Sequence, residues 1–184
     1  TPSRQINLSE LGSSSPVSRQ NLRTMTVSPS AFAGSGLAPD FSGAKESFET
    51  LRSVAFLNRY GGYLKTHRDK LKDTVVWNIE QGLKLKTEQL AAAEAKRAQL
   101  YHGMRTLLEK HEFLVCPVNQ LPPSPIETEW PREIAGVRMD NYLDWMKSCY
   151  YITLTTHPAI SVPAGFTDDG LPVGMQIVGR YRDD

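Results

Sequence analysis

The sequence predicts an α/β domain in which a mixed β-sheet is covered by α-helices. Two observations carry that expectation. Helical apolar spacing dominates residues 44–111, and three short apolar runs with strand character follow at 113–116, 159–163 and 173–178. An Asp169-Gly170 turn signal between the last two runs predicts a hairpin. Helices preceding a few short strands suggest a sheet with helices packed on it.

The elements follow in order. Residues 1–38 form a Ser/Gly/Pro-rich segment without lysine and without a sustained hydrophobic period. Burial there cannot offset ordering entropy, so a flexible segment is expected. Residues 39–184 read as the folded unit. Ser42 is placed to cap a helix starting near Gly43 or Ala44, with Phe48, Leu51, Arg52, Ala55 and Phe56 at helical spacing and Gly61-Gly62 at its end. A second helix spans about Asp73 to Gln81, with Gly82 as its stop and Val76, Ile79 and Leu83 as its buried stripe. The clearest helix runs from about Thr87, its expected N-cap, to His111. Leu90, Ala93, Arg97, Tyr101, Met104 and Leu108 recur every three or four residues, and Ala91, Ala95, Ala98 and Leu107 widen that apolar face. Glu94–Arg97 and Arg105–Glu109 are spaced to pair along the polar side.

Beyond it, Phe113-Leu114-Val115-Cys116 closed by Pro117 reads as a buried strand, followed by a Pro-rich loop at 121–125. Asn141 to Tyr151 is expected to be helical, with Leu143, Met146 and Tyr150 on one face. Ala159–Pro163 and Val173–Val178 are the remaining strands.

Composition bounds the function. Lys+Arg 21 against Asp+Glu 20 gives a net charge of +1, which argues against a general nucleic-acid binder. The Lys65–Lys72 run reads as a solvated face, with weak RNA contact as the sharper alternative. No apolar run reaches the roughly 20 residues a membrane helix needs, and a cytoplasmic location is expected. The four histidines form no H-E-x-x-H pair and the two cysteines lack metal-ligand spacing, so neither metal nor cofactor is expected. Cys116 and Cys149 read as buried thiols. Gly12-Ser13-Ser14-Ser15 invites a nucleophile reading, but Ser15 precedes Pro16, which has no N–H to donate, and no Gly-x-Ser-x-Gly elbow occurs. Loops at strand ends build pockets. Pro117, Trp130, Tyr142 and Trp145 are therefore the candidate pocket wall, and no catalytic residue is assigned.

The C-terminal run is specific. Pro158-Ala159-Ile160-Ser161-Val162-Pro163-Ala164-Gly165-Phe166, followed by Gly170-Leu171-Pro172-Val173-Gly174-Met175-Gln176-Ile177-Val178-Gly179, closely resembles the C-terminal signature of the amidase signature family. Pro39-Asp40-Phe41 with Leu51-Arg52, the helix around Arg97, and the Cys116-Pro117 step match the family's order upstream. The resemblance implies a partial amidase signature fold over residues 39–184. It also implies a family chemistry of amide C–N hydrolysis, in which a Lys, a Ser in a cis-peptide setting and a nucleophilic Ser form an acyl-enzyme on a small-molecule amide. Those three residues precede the matched part in the family, and Ser13–Ser15 do not fit the pattern. The expectation is the C-terminal portion of a hydrolase, inactive alone. The alternative is a non-catalytic scaffold or interaction protein derived from that fold, with self-association through an exposed sheet edge. Two departures are notable. Thr156 stands where relatives commonly have Gly, and Asp144 is offset from the Asp of glutamine-using relatives. Asn141–Met146 looks more like free-standing amidases than like part of a tRNA-dependent amidotransferase.

Overall fold

A computed structural model of the protein describes residues 39–183. The expectation of a flexible 1–38 segment and the Ser13–Ser15 reading lie outside the described residues. Helix α1 spans Ala44–Tyr60, the single turn α2 spans Tyr63–Thr66, α3 spans Asp73–Lys84 and α4 spans Thr87–Lys110. Strand β1 (Leu114–Pro117) follows, then a two-stranded ribbon of β2 (Glu133–Ile134) and β3 (Val137–Arg138), helix α5 (Lys147–Thr155), and strands β4 (Ala159–Phe166) and β5 (Pro172–Val178).

Helices α1, α4 and α5 enclose the core. Leu100, Met104 and Leu108 of α4 bury against Ala44 of α1 and against Tyr150, Tyr151, Ile152 and Leu154 of α5. Two ring stacks lock α5 to the first helix and the residues before it: Phe48 on Tyr150 at 4.4 Å and Phe41 on Tyr151 at 4.5 Å. Such pairs add roughly 0.5–1.5 kcal/mol each beyond their area burial. The Ser47 hydroxyl donates to the Ala93 carbonyl over 2.8 Å, a buried bond between α1 and α4.

The three main strands form one antiparallel sheet in the order β1–β5–β4. Period-two alternation turns Cys116, Gln176 and Val178 toward the helices, while Val115 and Ile160 remain exposed. The Asp169-Gly170 signal does close the β4–β5 hairpin: the Gly170 N–H donates to the Thr167 carbonyl, and the Thr167 N–H donates to the Leu171 carbonyl.

Several local expectations are corrected. Ser42 does not cap α1, because its N–H and hydroxyl both donate to the Asp40 carboxylate, at 2.8 and 2.9 Å. Lys86, rather than Thr87, is the N-cap of α4, and its N–H donates to the Gln89 side chain. Ala91, Ala95 and Ala98 are exposed, and Leu100 takes a core position instead. The strand at 114–117 is half-covered rather than buried, with Phe113 and Val115 exposed. Residues 141–146 form a loop and a 3-10 turn, and α5 begins only at Lys147. The β2–β3 ribbon is an element that the apolar periodicity does not announce. Its turn residues Ala135 and Gly136 both have positive φ, 49° and 77°, as a two-residue hairpin favours. Thr156 sits at φ 57° at the end of α5, a left-handed conformation that glycine adopts without steric cost.

Gly82 does not stop α3. The helix runs through it to Lys84, and Leu83 is exposed at 62%. A Cβ at Gly82 would lie 2.6 Å from the Ser53 carbonyl oxygen, so glycine permits the close approach of α3 to α1. Alanine is normally the better helix former. Here Gly82→Ala is expected to destabilise the fold by about 1–3 kcal/mol through overpacking, a lowered midpoint in chemical denaturation being the check.

Candidate active-site wall

The loop after β1 shapes the candidate site, and hydrogen bonds to buried groups hold its first residues. The Gln176 side-chain amide, on β5, donates to the Pro117 carbonyl at 3.1 Å and to the Ser148 carbonyl at 3.0 Å. The Ser148 hydroxyl and the Cys149 thiol donate to the Val118 carbonyl, at 2.7 and 3.1 Å. The Lys147 N–H donates to Gln120 Oε1 at 3.0 Å. Residues 117–120 are thereby fastened to the start of α5, and the Pro-rich segment leaves from a fixed base.

A cavity of about 570 Å³ opens between that segment and the sheet. Its floor is Val115, Cys116 and Pro117 of β1 with Val173, Gly174 and Met175 of β5. Its walls are Leu121, Pro122, Pro123, Trp130 and Pro131 from the loop and Trp145 from the 3-10 turn. The Arg132 guanidinium lies 3.6 Å from the centre of the Trp130 ring, a cation–π contact that steadies the indole. Burial pushes the Cys116 thiol up to about 11, so it lines the floor as a neutral, inert group. Cys149 is half-buried rather than buried.

Three of the four candidate wall residues, Pro117, Trp130 and Trp145, therefore meet in one cavity. Tyr142 is placed elsewhere. Its hydroxyl accepts from Asn78 Nδ2 at 2.7 Å and from Arg52 Nε at 3.3 Å, which ties the loop to α1 and α3. Gln176 and Gln120 escape reasoning from sequence, because a glutamine shows its role only through the carbonyl or N–H it reaches. Asp144 is buried and lies 2.8 Å from the Lys45 ammonium, with its other oxygen accepting from the Asp140 N–H. Burial alone would raise the Asp144 carboxyl, but the Lys45 hydrogen bond and the Asp140 N–H outweigh it and hold the group below the ordinary carboxylate range. Asp144 thus serves as a clamp between the loop and α1 and does not line the cavity. The Lys65–Lys72 run is largely exposed, with Arg68 paired to Glu80.

The amidase family model matches residues 43–184. This chain belongs to the amidase signature family. It is 30% identical over 121 residues to an acylamidase of Rhodococcus erythropolis, a match covering 65% of this chain and 25% of that protein. It is 28% identical over 120 residues to the urea amidolyase of Saccharomyces cerevisiae, covering 65% of this chain and 6% of that one. A solved amidase structure superposes with a TM-score of 0.70 at 26% identity, over 78% of this chain and 33% of the other. The chain thus spans about a quarter of the acylamidase and about a third of the solved amidase. No helix among the described residues is long and apolar enough to cross a membrane.

Within this amidase-family fold, Gln176 is the most consequential polar group behind the cavity, tying the end of β1 to α5. Gln176→Leu leaves two carbonyls without their donor and is expected to cost about 2–4 kcal/mol. Amide hydrogen exchange checks it: protection should fall first at residues 117–120 and at the start of α5.

Proposed function

We propose that this chain is the C-terminal portion of an amidase signature hydrolase, supplying covering helices, three strands and one wall of the substrate pocket. The observation that carries this reading is the hairpin of the C-terminal signature. Within Pro158–Phe166 and Gly170–Gly179 lie β4 and β5, and β5 supplies part of the cavity floor and the Gln176 tie behind its wall. The substrate in this reading is a small-molecule amide. In this reading the Lys, bridging Ser and nucleophilic Ser of the family chemistry lie ahead of the matched part, and residues 1–42 hold no lysine, so residues 1–184 are expected to have no amide hydrolysis of their own. A cytoplasmic location accompanies this reading, supported by two unpaired thiols, Cys116 and Cys149. A nucleic-acid role does not, given the near-neutral charge.

One observation favours a second reading, a non-catalytic interaction protein. Among the described residues strand β4 lies at the sheet edge, and only Val162 of its eight residues is even half-buried. Unpaired edges of this length invite pairing with another strand, including β4 of a second copy.

Purified residues 1–184 are expected to give no turnover of aliphatic or aryl amides. A chimera carrying residues 43–184 in place of the matching quarter of the Rhodococcus acylamidase is expected to hydrolyse amides. Turnover by the chain alone that depends on one of its own residues would contradict the first expectation. Light scattering after size-exclusion chromatography addresses the second reading: a defined dimer lost on Ser161→Pro supports edge pairing, and a monomer removes it.

A further inference from the structure

We infer that the cavity selects neutral amides bearing an aromatic or bulky apolar group and rejects anionic and zwitterionic amides. This rests on the amidase reading above and narrows its substrate class. Bringing a carboxylate or ammonium out of water costs several kcal/mol unless a partner of opposite charge receives it. Among the described lining residues, the only side chain charged at neutral pH is Glu129, which is exposed at the rim. Its sign opposes a carboxylate. Arg132 is a nearby cation, but its guanidinium is stacked on Trp130.

The neutral polar groups are few. Gln120 is 4% exposed, and its carbonyl oxygen already accepts from the Lys147 N–H. The Pro117 carbonyl is taken by Gln176. Asn119 and Ser124 are exposed and stand at the opening. They can meet one amide group there, while the interior offers two indoles, proline rings, Val173 and Met175. Such a lining rewards burial of ring surface, and indoles add face or edge contacts to an aromatic guest. The volume of about 570 Å³ lies in the range that encloses drug-sized ligands. Trp145 and Trp130 are the specificity-determining residues of this inference.

Isothermal calorimetry on residues 1–184 with 2-naphthamide, L-glutamine and succinamate tests it. The expected result is saturable binding of 2-naphthamide, weakened at least tenfold by Trp145→Ala and severalfold by Trp130→Ala, with no binding of the two charged amides. Trp130 lies in the loop outside the helical core, so its variant reports on the cavity even if Trp145→Ala does not fold. Absence of 2-naphthamide binding, equal or tighter binding of glutamine or succinamate, or unchanged affinity in the folded tryptophan variants would each overturn the inference. Binding needs no turnover, so the two readings fail separately. An inactive chimera with intact 2-naphthamide selectivity sinks only the hydrolase reading. An active chimera that prefers charged amides sinks only this one.

Discussion

The Gln176 side-chain amide joins three separate parts of the chain. It projects from β5, and its two N–H bonds end on the Pro117 carbonyl at the end of β1 and the Ser148 carbonyl in α5. The Pro117 carbonyl sits where the backbone leaves β1, and the Ser148 carbonyl, in the first turn of α5, accepts through its second lone pair. A buried primary amide supplies two donors from one planar group. The point at which the chain leaves β1 for the Pro-rich segment is tied to α5 through that group. The bonds from Ser148, Cys149 and Lys147 to residues 118–120 then continue the same seam.

The helical layer solves a different problem. The α4 helix is long but offers only a narrow buried stripe, Ala93, Leu100, Met104 and Leu108. Ring stacks on Tyr150 and Tyr151 and the close approach at Gly82 fill the space between helices. The far end of α4 is finished by Arg180, whose Nε donates to the Leu108 carbonyl at 2.8 Å, so the residue just past β5 caps the helix. The ion pair between half-buried Lys45 and buried Asp144 anchors the 140s loop to α1. The site wall is therefore held from two sides, by Gln176 from the sheet and by Asp144 from the helices.

Much of this was legible in local patterns. The extent of α4, its Glu94–Arg97 and Arg105–Glu109 pairs and the β4–β5 hairpin all follow from residues within four or five positions of each other. The misreadings share a cause. Gly82 reads as a stop because helix propensity is local, whereas the Ser53 carbonyl that requires glycine lies on another helix. Ser42 reads as a cap because its hydroxyl is a good acceptor, but Asp40 recruits it as a donor. Leu83 reads as buried from its spacing, yet no element covers that side of α3 among the described residues. Tyr142 reads as pocket wall from its place in the chain, but its hydroxyl is drawn to Asn78 and Arg52.

Sequence alone determined the class of fold, the order of its main helices and three sheet strands, the C-terminal signature and the family to which it points. Those depend on periodicity and on short motifs, which are properties of neighbouring residues. Tertiary structure alone decided which of the candidate aromatics share a cavity, that Asp144 is spent on an ion pair, and that a single glutamine holds the wall in place. Hydrogen bonds and desolvation depend on which groups meet across 28, 59 or 99 positions of chain, as Gln176 to Ser148, Gln176 to Pro117 and Lys45 to Asp144 do. No local pattern encodes that meeting.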